Sequence, residues 1–351
     1  MAGTAAPPPT VYVANQGSGT VTPIRVATNR PGRVINTHGA NYIAATPDGA
    51  TVYVGHAAGT VTPIRTATNK PGRTFEVGEL DALLVGPYGK TLYAVGDDGT
   101  VTPVRIATNT PGKTISTGAD PAGLSGVAIT PNGRTLYLLN YLSDTVIPVQ
   151  TASHTVGKAI TVGSNPSAIA ITPDGKTAYV ASGFDTVTPI NTVTNTALTP
   201  ITVGEVPGAI VITPNGKTAY VLSSYGTVTP ISTATNQAGP PISIPIPGGG
   251  VLSSMAITPD GKVLLVGGGG VSGHAEVTPV NTATNQAGQA ISVRLGPDAI
   301  AITPDGKTAY VVNFGTGRIQ GRTVTPIRIA TLQAGRAIRV GLDPTDLVIV
   351  R

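Results

Sequence analysis

The sequence contains no cysteine and no tryptophan, and only 11% of its residues are charged. The lack of cysteine excludes disulfide bonds, thiolate metal sites and cysteine nucleophiles. No apolar run approaches the roughly 20 residues that a membrane-spanning helix needs. The chain also lacks the local motifs of a nucleophile elbow, a P-loop, a zincin helix and an EF-hand. These absences exclude the classes of enzyme and membrane protein that such segments identify.

Glycine and proline are abundant instead, with 45 and 31 residues, and threonine and valine make up much of the remainder. This composition is typical of many short strands joined by tight turns. Hydrophobic residues reach 40% and recur at regular intervals, which argues against a disordered chain. We therefore predict an all-β protein.

The chain repeats one unit from end to end, seen most clearly between Ala168 and Gly204. The motif Thr-Val-Thr-Pro-Ile, or a close variant, occurs eight times about 40 to 49 residues apart, a spacing expected of propeller blades. A turn motif, Thr-Pro-Asp/Asn-Gly, occurs six times and once more as Gly-Pro-Tyr-Gly. The eight copies of the first motif begin at Thr20, Thr60, Thr100, Thr145, Thr186, Thr227, Glu276 and Thr323.

Each unit predicts four strands, here labelled a to d: an apolar run, a Thr-Ala-Tyr-Val strand, the Val-Thr-Pro-Ile strand, and one ending in Ile-Thr-Val-Gly. The chain starts in a strand b, at Val11, and ends in a strand a, residues 346–350. We predict that this last strand pairs into the N-terminal blade and closes the ring, which removes an aggregation-prone edge. The predicted organisation is a flexible leader, residues 1–9, and one β-propeller domain, residues 10–351. It has eight four-stranded antiparallel blades, with seven as the alternative.

The sequence resembles the YVTN-type β-propeller family of surface-layer-like proteins, whose signature appears as Tyr12-Val13-Ala14-Asn15 and, more loosely, Tyr310-Val311-Val312-Asn313. The resemblance covers about residues 10–351 and implies a propeller, an extracytoplasmic location and a binding surface. There are two departures: seven blades are usual in that family, and strand c here carries a proline where the family has an apolar residue. Since an interior strand cannot use proline as a donor, we predict a bulge or a lost hydrogen bond there in every blade.

The two ends of the predicted ring differ. The a–b and c–d turns are stereotyped and share one end, called the bottom, whereas the variable b–c and d–a connectors share the other, the top. Twelve of the 17 acidic residues map to the top, and most basic residues follow the bottom turns. Arginines end strand c only in blades that are neighbours in the closed ring: Arg25, Arg65, Arg105 and Arg328. We predict an acidic top and a basic arc on the bottom.

The top connectors supply the candidate ligand-binding residues. Carboxylates suit a cationic ligand, aromatic side chains a sugar or a basic segment, and two arginines a carboxylate. No histidine has the spacing of a metal site, so no metal ligand is assigned. The Gly-rich stretch 267–276 lacks the context of a dinucleotide site and suits a loop that folds over the mouth. The candidates are His56, Asp97, Asp98, Tyr141, Asp144, Phe184, Asp185, Tyr225, His274, Glu276, Arg318 and Arg322.

Three functions are open at this point. We favour a non-enzymatic, monomeric scaffold that binds a ligand or protein at its acidic top and is secreted or displayed at the cell surface. The alternative is an enzyme at the top of the channel, a lyase or lactone hydrolase, metal-assisted if a divalent cation binds at the mouth. No other cofactor is expected. A purely structural role is the third.

The basic arc predicts a second kind of partner. It suits an anionic polymer, such as a wall polymer, or a membrane surface. Nucleic acid is disfavoured, because the arc lacks the interleaved aromatic residues that stack on bases.

Overall fold

The computed structural model describes residues 9–120, 123–246, 250–269, 275–294, 296–316 and 319–351. These residues form eight antiparallel sheets, each with the strand order a-b-c-d. Inner strands of successive blades contact one another in a closed ring around a central channel. The structure therefore confirms an eight-bladed, all-β propeller and excludes seven blades.

The strands follow the repeat closely. From blade 1 to blade 8, strand a spans Pro344–Val350, Tyr42–Ala45, Ala82–Val85, Leu124–Ile129, Pro166–Ile171, Pro207–Ile212, Val251–Ile257 and Pro297–Ile302. Strand b spans Thr10–Asn15, Thr51–His56, Thr91–Val95, Thr135–Asn140, Thr177–Ser182, Thr218–Ser223, Val263–Gly269 and Thr308–Thr316. Strand c spans Thr20–Arg25, Thr60–Arg65, Thr100–Arg105, Thr145–Gln150, Thr186–Asn191, Thr227–Ser232, Ala275–Asn281 and Ile319–Arg328.

The outer strand d is divided into two short segments in seven of the blades. In blade 4 one segment, Ile160–Thr161, is present, and a single β-bridge between Val149 and Val156 takes the place of the other. The other segments are Arg30–Pro31 and Ile35–Asn36, Lys70–Pro71 and Phe75–Glu76, Thr110–Pro111 and Ile115–Ser116, Thr196–Ala197 and Ile201–Thr202, Gln237–Ala238 and Ile242–Ser243, Gln286–Ala287 and Ile291–Val293, and Gln333–Ala334 and Ile338–Arg339. A single 3-10 turn, Gln16–Ser18, joins strands b and c of blade 1. Within the described ranges, no helix has the length and apolar character needed to span a bilayer.

The C-terminal strand closes the ring, as predicted. It pairs with strand b of blade 1 from Val350, opposite Thr10, to Pro344, opposite Asn15. Leu347 packs into the hydrophobic cluster shared with blade 8, and Val348 packs against the cluster shared with blade 2. Of the predicted leader, only Pro9 lies among the described residues.

The proline of strand c divides the outer strand. Pro23 lies opposite Tyr12 in the b–c ladder, which continues without a break. On its other side, the pairing register shifts by one residue between the two segments of strand d. Proline has no N–H to offer this ladder, but its carbonyl accepts a hydrogen bond from Gly32 N at 2.7 Å. An equivalent shift occurs in the other seven blades, which confirms the predicted bulge.

A tyrosine–asparagine hydrogen bond joins most neighbouring blades. The Tyr179 hydroxyl donates to Asn236 Oδ1 at 2.6 Å, and Asn236 holds the left-handed φ of 54° that the c–d turn requires. Burial raises the pKa of Tyr179 to about 12, so the hydroxyl stays protonated. The bond recurs at six interfaces, formed by Tyr12–Asn69, Tyr53–Asn109, Tyr137–Asn195, Tyr179–Asn236, Tyr220–Asn285 and, across the ring closure, Tyr310–Asn29.

The tyrosine–asparagine hydrogen bond is absent from two interfaces, where other residues occupy one or both positions. Between blades 7 and 8, Leu265 stands where the tyrosine would be and Leu332 where the asparagine would be, and both belong to one apolar cluster. Both partners differ together, so no buried polar group loses its partner. Between blades 3 and 4, His154 takes the place of the asparagine opposite Tyr93, and a groove of about 850 Å³ opens beside them.

We expect the missing bond to be restorable. In a double-mutant cycle with Leu265→Tyr and Leu332→Asn, the double variant should be more stable than the sum of the single variants predicts by about 1 kcal/mol, one net hydrogen bond. Urea unfolding of the four proteins measures this energy. Tyr179→Phe, which leaves Asn236 without its donor, should be destabilised by about the same amount. A strictly additive cycle would contradict the assignment of this bond as a blade-to-blade tie.

Candidate functional site

Titratable residues lie at the top of the ring, where strand a begins in four of the blades. Asp298 is the second residue of strand a in blade 8, and Asp346 is the third in blade 1. Tyr42 begins strand a of blade 2, and Asp81 immediately precedes that of blade 3. These blades are consecutive in the closed ring. We call Tyr42, Asp81, Asp298 and Asp346 the crescent.

The carboxyl groups of the crescent are held in surroundings that disfavour their charge. Burial, together with the charge of Asp298, raises the pKa of Asp346 to about 6, although a hydrogen bond from Leu347 N at 2.7 Å acts the other way. Asp298 is exposed as a residue, but partial desolvation of its carboxyl by the surrounding chain raises its pKa. Burial and then the charge of Asp97 raise the pKa of Asp81. All three shifts have the sign expected for carboxylates without a cation nearby.

A second acidic pair adjoins the crescent on blade 3. A hydrogen bond with Asp97 and the negative charge of Asp97 raise the pKa of the exposed Glu79. The Oδ1 atom of Asp97 is buried and receives no hydrogen bond from the described residues. Burial and the negative charges of Asp81 and Asp97 also raise the pKa of Tyr42. The top of blades 2 and 3 thus concentrates negative charge.

At the corresponding positions of strand a, blades 4 to 7 carry uncharged residues. At the start of strand a, blades 4, 5 and 7 carry Ser125, Ser167 and Ser253, and blade 6 carries Gly208. Each of these serine hydroxyls donates to the proline carbonyl that begins a nearby strand a, at 2.5 to 2.7 Å. A carboxylate has no proton to donate in this way, so the acids of the crescent lack this internal partner.

No cation neutralises the crescent among the described residues. The three salt bridges among the described residues lie in the bottom turns instead. Each joins a lysine to the aspartate of its own a–b turn, as in Lys176 and Asp174. In the same ranges, no group of three His, Asp or Glu side chains comes close enough together to hold a metal ion. The arrangement is therefore suited to a ligand that brings its own positive charge or hydrogen-bond donors.

Three candidate aromatic residues lie exposed at the top of blades 4 to 6. Tyr141, Phe184 and Tyr225 occupy the b–c connectors of blades 4, 5 and 6, with 38%, 81% and 65% of their surfaces exposed. Asp185, beside Phe184, is exposed as well. The aromatic candidates therefore form a group apart from the crescent.

Other candidates are engaged in local hydrogen bonds. The His56 ring is buried, its Nε2 lies 2.9 Å from Thr62 Oγ1, and burial lowers its pKa. Asp98 Oδ1 accepts hydrogen bonds from the backbone N–H and hydroxyl of Thr100. Asp144 Oδ1 accepts one from Asn165 N at 2.8 Å. These contacts shape connectors rather than a ligand site.

The two long connectors extend strands. Gly267–Gly269 continue strand b of blade 7, where glycine permits the close approach of Ser254 and Leu252, and Glu276 lies in the ladder opposite Gly268. In blade 8, strands b and c pair as far as Thr316 and Ile319, which makes a projecting hairpin. The segment predicted to fold over the mouth is therefore a strand up to Gly269. Arg322 is exposed on that hairpin, and His274 and Arg318 lie outside the described residues.

The candidate set from sequence included no residue of the crescent, although Asp81, Asp298 and Asp346 are among the twelve acidic residues that map to the top. A usable signal was available. Aspartate or tyrosine stands at the start of strand a in blades where other copies have serine, glycine or alanine. An off-pattern residue on the innermost strand lies beside the channel, so it is a stronger candidate than one on a connector.

Comparisons with known proteins establish the fold alone. The chain matches no family model and no curated protein by sequence. Among solved structures it is similar to the dihydro-heme d1 dehydrogenase NirN in complex with DHE, with a TM-score of 0.79 and 15% identity over 97% of this chain and 74% of that one. It is also similar to apo AztD from Citrobacter koseri, with a TM-score of 0.69 and 12% identity over 97% and 98%. A third similar structure is that of a functionally unknown protein from Desulfotomaculum acetoxidans DSM 771, with a TM-score of 0.62 and 18% identity over 97% of this chain and 99% of that one.

Proposed function

We propose that this propeller is a non-enzymatic binding protein that takes a cationic ligand at the top of its channel. The observation that carries the proposal is the crescent: three carboxyl groups with raised pKa values lie at the starts of the inner strands of blades 8, 1 and 3, with no cation bound to them among the described residues. An ammonium or guanidinium group bound there would relieve both the repulsion and the lost hydration. NirN, with the same fold, was solved in complex with DHE, so one such scaffold holds a ligand.

The exposed aromatic residues narrow the class of ligand. Tyr141, Phe184 and Tyr225 lie around the same end of the ring as the crescent. Aromatic faces bind apolar groups and also attract cations. A ligand with both an apolar part and a positive charge, such as a basic peptide segment, fits both halves of the top. Membership in the YVTN-type family and an extracytoplasmic location belong to this proposal and rest on the sequence resemblance.

The proposal predicts a pH-dependent thermal shift. Spermidine at 100 times its dissociation constant should raise Tm at pH 8 by about 4 °C, and by much less at pH 5, where Asp346 is protonated. Asp81→Asn with Asp298→Asn should abolish the shift. Asp185→Asn, an exposed top acid outside the crescent, is the matched control and should keep it. A shift that survives the double variant, or that glycerol reproduces, would overturn the proposal.

One observation favours the enzyme alternative. Asp298 and Asp346 interact, and a carboxyl with a pKa of about 6 is suited to proton transfer near neutral pH. In a lyase or lactone hydrolase, Asp346 would be the general acid and Asp298 the carboxylate beside it. Acid release from a panel of lactones, followed with and without Asp346→Asn, tests this. Turnover lost in that variant would favour the enzyme over the binding protein.

A further inference from the structure

Basic residues occupy two repeated positions on the bottom outer rim of four consecutive blades. One position is the last residue of strand c, and the other is the residue inside the bulge of strand d. In blades 4 to 7, the first position holds glutamine, asparagine or serine instead. The first position holds Arg25, Arg65, Arg105 and Arg328, and the second holds Arg33, Arg73, Lys113 and Arg336. These eight residues, with Arg30 and Lys70 opposite Arg25 and Arg65, form the basic arc.

Two pairs in the arc place like charges directly opposite each other. Arg25 pairs with Arg30 in blade 1, and Arg65 pairs with Lys70 in blade 2. Like charges in this position destabilise a sheet. All residues of the arc are exposed, and none forms a salt bridge with another described residue. The stability of the fold therefore does not explain this placement.

The arc surrounds grooves between neighbouring c–d turns. The groove between blades 1 and 2 measures about 750 Å³ and is lined by Arg25, Arg33 and Lys70, with Thr66 and Thr68 between them. The groove between blades 3 and 4 contains Arg105, Lys90 and His154. The corresponding groove between blades 5 and 6, about 650 Å³, is lined by no charged residue. The same scaffold thus carries cationic grooves in one half of the ring and a neutral one in the other.

We infer that the basic arc binds an anionic polysaccharide along its length. Guanidinium groups bind sulfate and carboxylate through two parallel hydrogen bonds, and the arc repeats them once per blade. A polymer with a charge on each repeat unit would pass from groove to groove and neutralise the opposed pairs. Aromatic residues are few beside the arc: Tyr88 is exposed in the a–b turn of blade 3, and Tyr93 lines the groove between blades 3 and 4. They do not recur from blade to blade, so the arc offers no repeated platform for the stacked bases of a nucleic acid. This inference concerns the opposite end of the ring from the crescent and is independent of it.

The test compares two triple variants with the same change in net charge. Arg25→Gln, Arg65→Gln and Arg105→Gln remove three arginines of the arc. Lys176→Gln, Lys217→Gln and Lys262→Gln remove three exposed bottom lysines outside it. Heparin binding, measured by calorimetry with the full chain at about 100 mM salt, should weaken about 10-fold or more in the arc variant and less than about 3-fold in the control. Equal losses would show that net charge alone is responsible and would overturn the inference.

A double variant tests the role of the opposed pairs. The variant carries Arg30→Gln and Lys70→Thr. These are the residues that stand at the equivalent position in blade 8, Gln333, and in blade 3, Thr110. Removing the opposed charges should raise Tm by about 1 °C while weakening heparin binding. Weaker binding with no rise in Tm would contradict the role given to the opposed pairs.

Competing polyanions test the class of polymer. An oligothymidylate of about 20 residues and phosphatidylserine vesicles are titrated under the same salt conditions as heparin. Both should bind more weakly than heparin, since the arc offers guanidinium groups at regular intervals but no aromatic residue that repeats with them. Tighter binding of the oligothymidylate or of the vesicles would assign the arc to nucleic acid or membrane and overturn the inference.

Discussion

A chain that ends at Leu342 is expected to lose most of its free energy of unfolding. The missing segment contains strand a of blade 1, which forms the whole inner ladder of that blade and packs into the clusters on both sides. Its loss opens the ring and exposes strand b of blade 1 as an edge. Domains are commonly stable by about 5–15 kcal/mol, and we expect more than about 5 kcal/mol of it to disappear. Urea unfolding followed by circular dichroism gives the difference.

A circular permutant separates closure from chain length. Residues 343–351 are joined by a flexible linker to residue 9, so that the chain starts with strand a and ends at Leu342. This protein should regain most of the lost stability, since it restores the pairing of Thr10 with Val350. Deleting Arg351 alone, an exposed residue beyond the last strand, should change little. A truncated chain that keeps the wild-type unfolding midpoint would refute closure as the source of stability.

The fold was predictable because each repeat contains residues that fix its turns and strand boundaries. Each copy carries turn residues at fixed offsets, and the proline of strand c marks the position where the outer strand shifts register, as Pro23 does. The offset between the first and last strands predicts the closure. The tie between blades was not predictable from one copy, because Tyr179 and Asn236 belong to different units. Only the joint replacement by Leu265 and Leu332 signals their contact in the sequence.

The site was less predictable for a different reason. Asp346 and Asp298 come from strands that ring closure makes neighbours, and their raised pKa values depend on burial that a sequence does not show. His56 illustrates the converse error of judging by residue type alone. Its chemistry suits a ligand site, yet its ring takes a buried place at the end of strand b and bonds to Thr62. Connector position alone does not distinguish residues that shape the loop from residues that face the channel.

The two charged features occupy the same half of the ring. Blades 8, 1, 2 and 3 carry the crescent at the top and the basic arc at the bottom. Blades 4 to 6 carry exposed aromatic residues on top, and the groove between blades 5 and 6 below is uncharged. The repeats therefore differ by half-ring in the residues that contribute least to packing, which is expected when two surfaces serve binding and the core serves stability.

Replacing Asp346 with asparagine is expected to stabilise the free protein at pH 8. The folded pKa of about 6 lies above the ordinary value of 3.8, so ionisation favours the unfolded chain. The stability associated with neutral Asp346 is fully present below pH 3.8 and is lost as pH rises through about 6. At about 1.36 kcal/mol per pKa unit the loss reaches up to about 3 kcal/mol, less where channel water screens the charge. Asparagine has the same shape and no charge, so it avoids this loss.

Urea unfolding from pH 4 to 8 measures this effect. The difference between Asp346→Asn and wild type should grow as pH rises through about 6. Asp174→Asn is a control of opposite sign, because hydrogen bonds from Thr172 and Lys176 N lower the pKa of Asp174. Its wild-type contribution is present above pH 3.8 and is lost as pH falls, so that variant should be destabilised most near neutral pH. A pH-independent difference for Asp346→Asn would mean that its carboxyl ionises freely. If the variant also loses the thermal shift with spermidine while gaining stability, the charge at Asp346 is retained for binding at the expense of the fold.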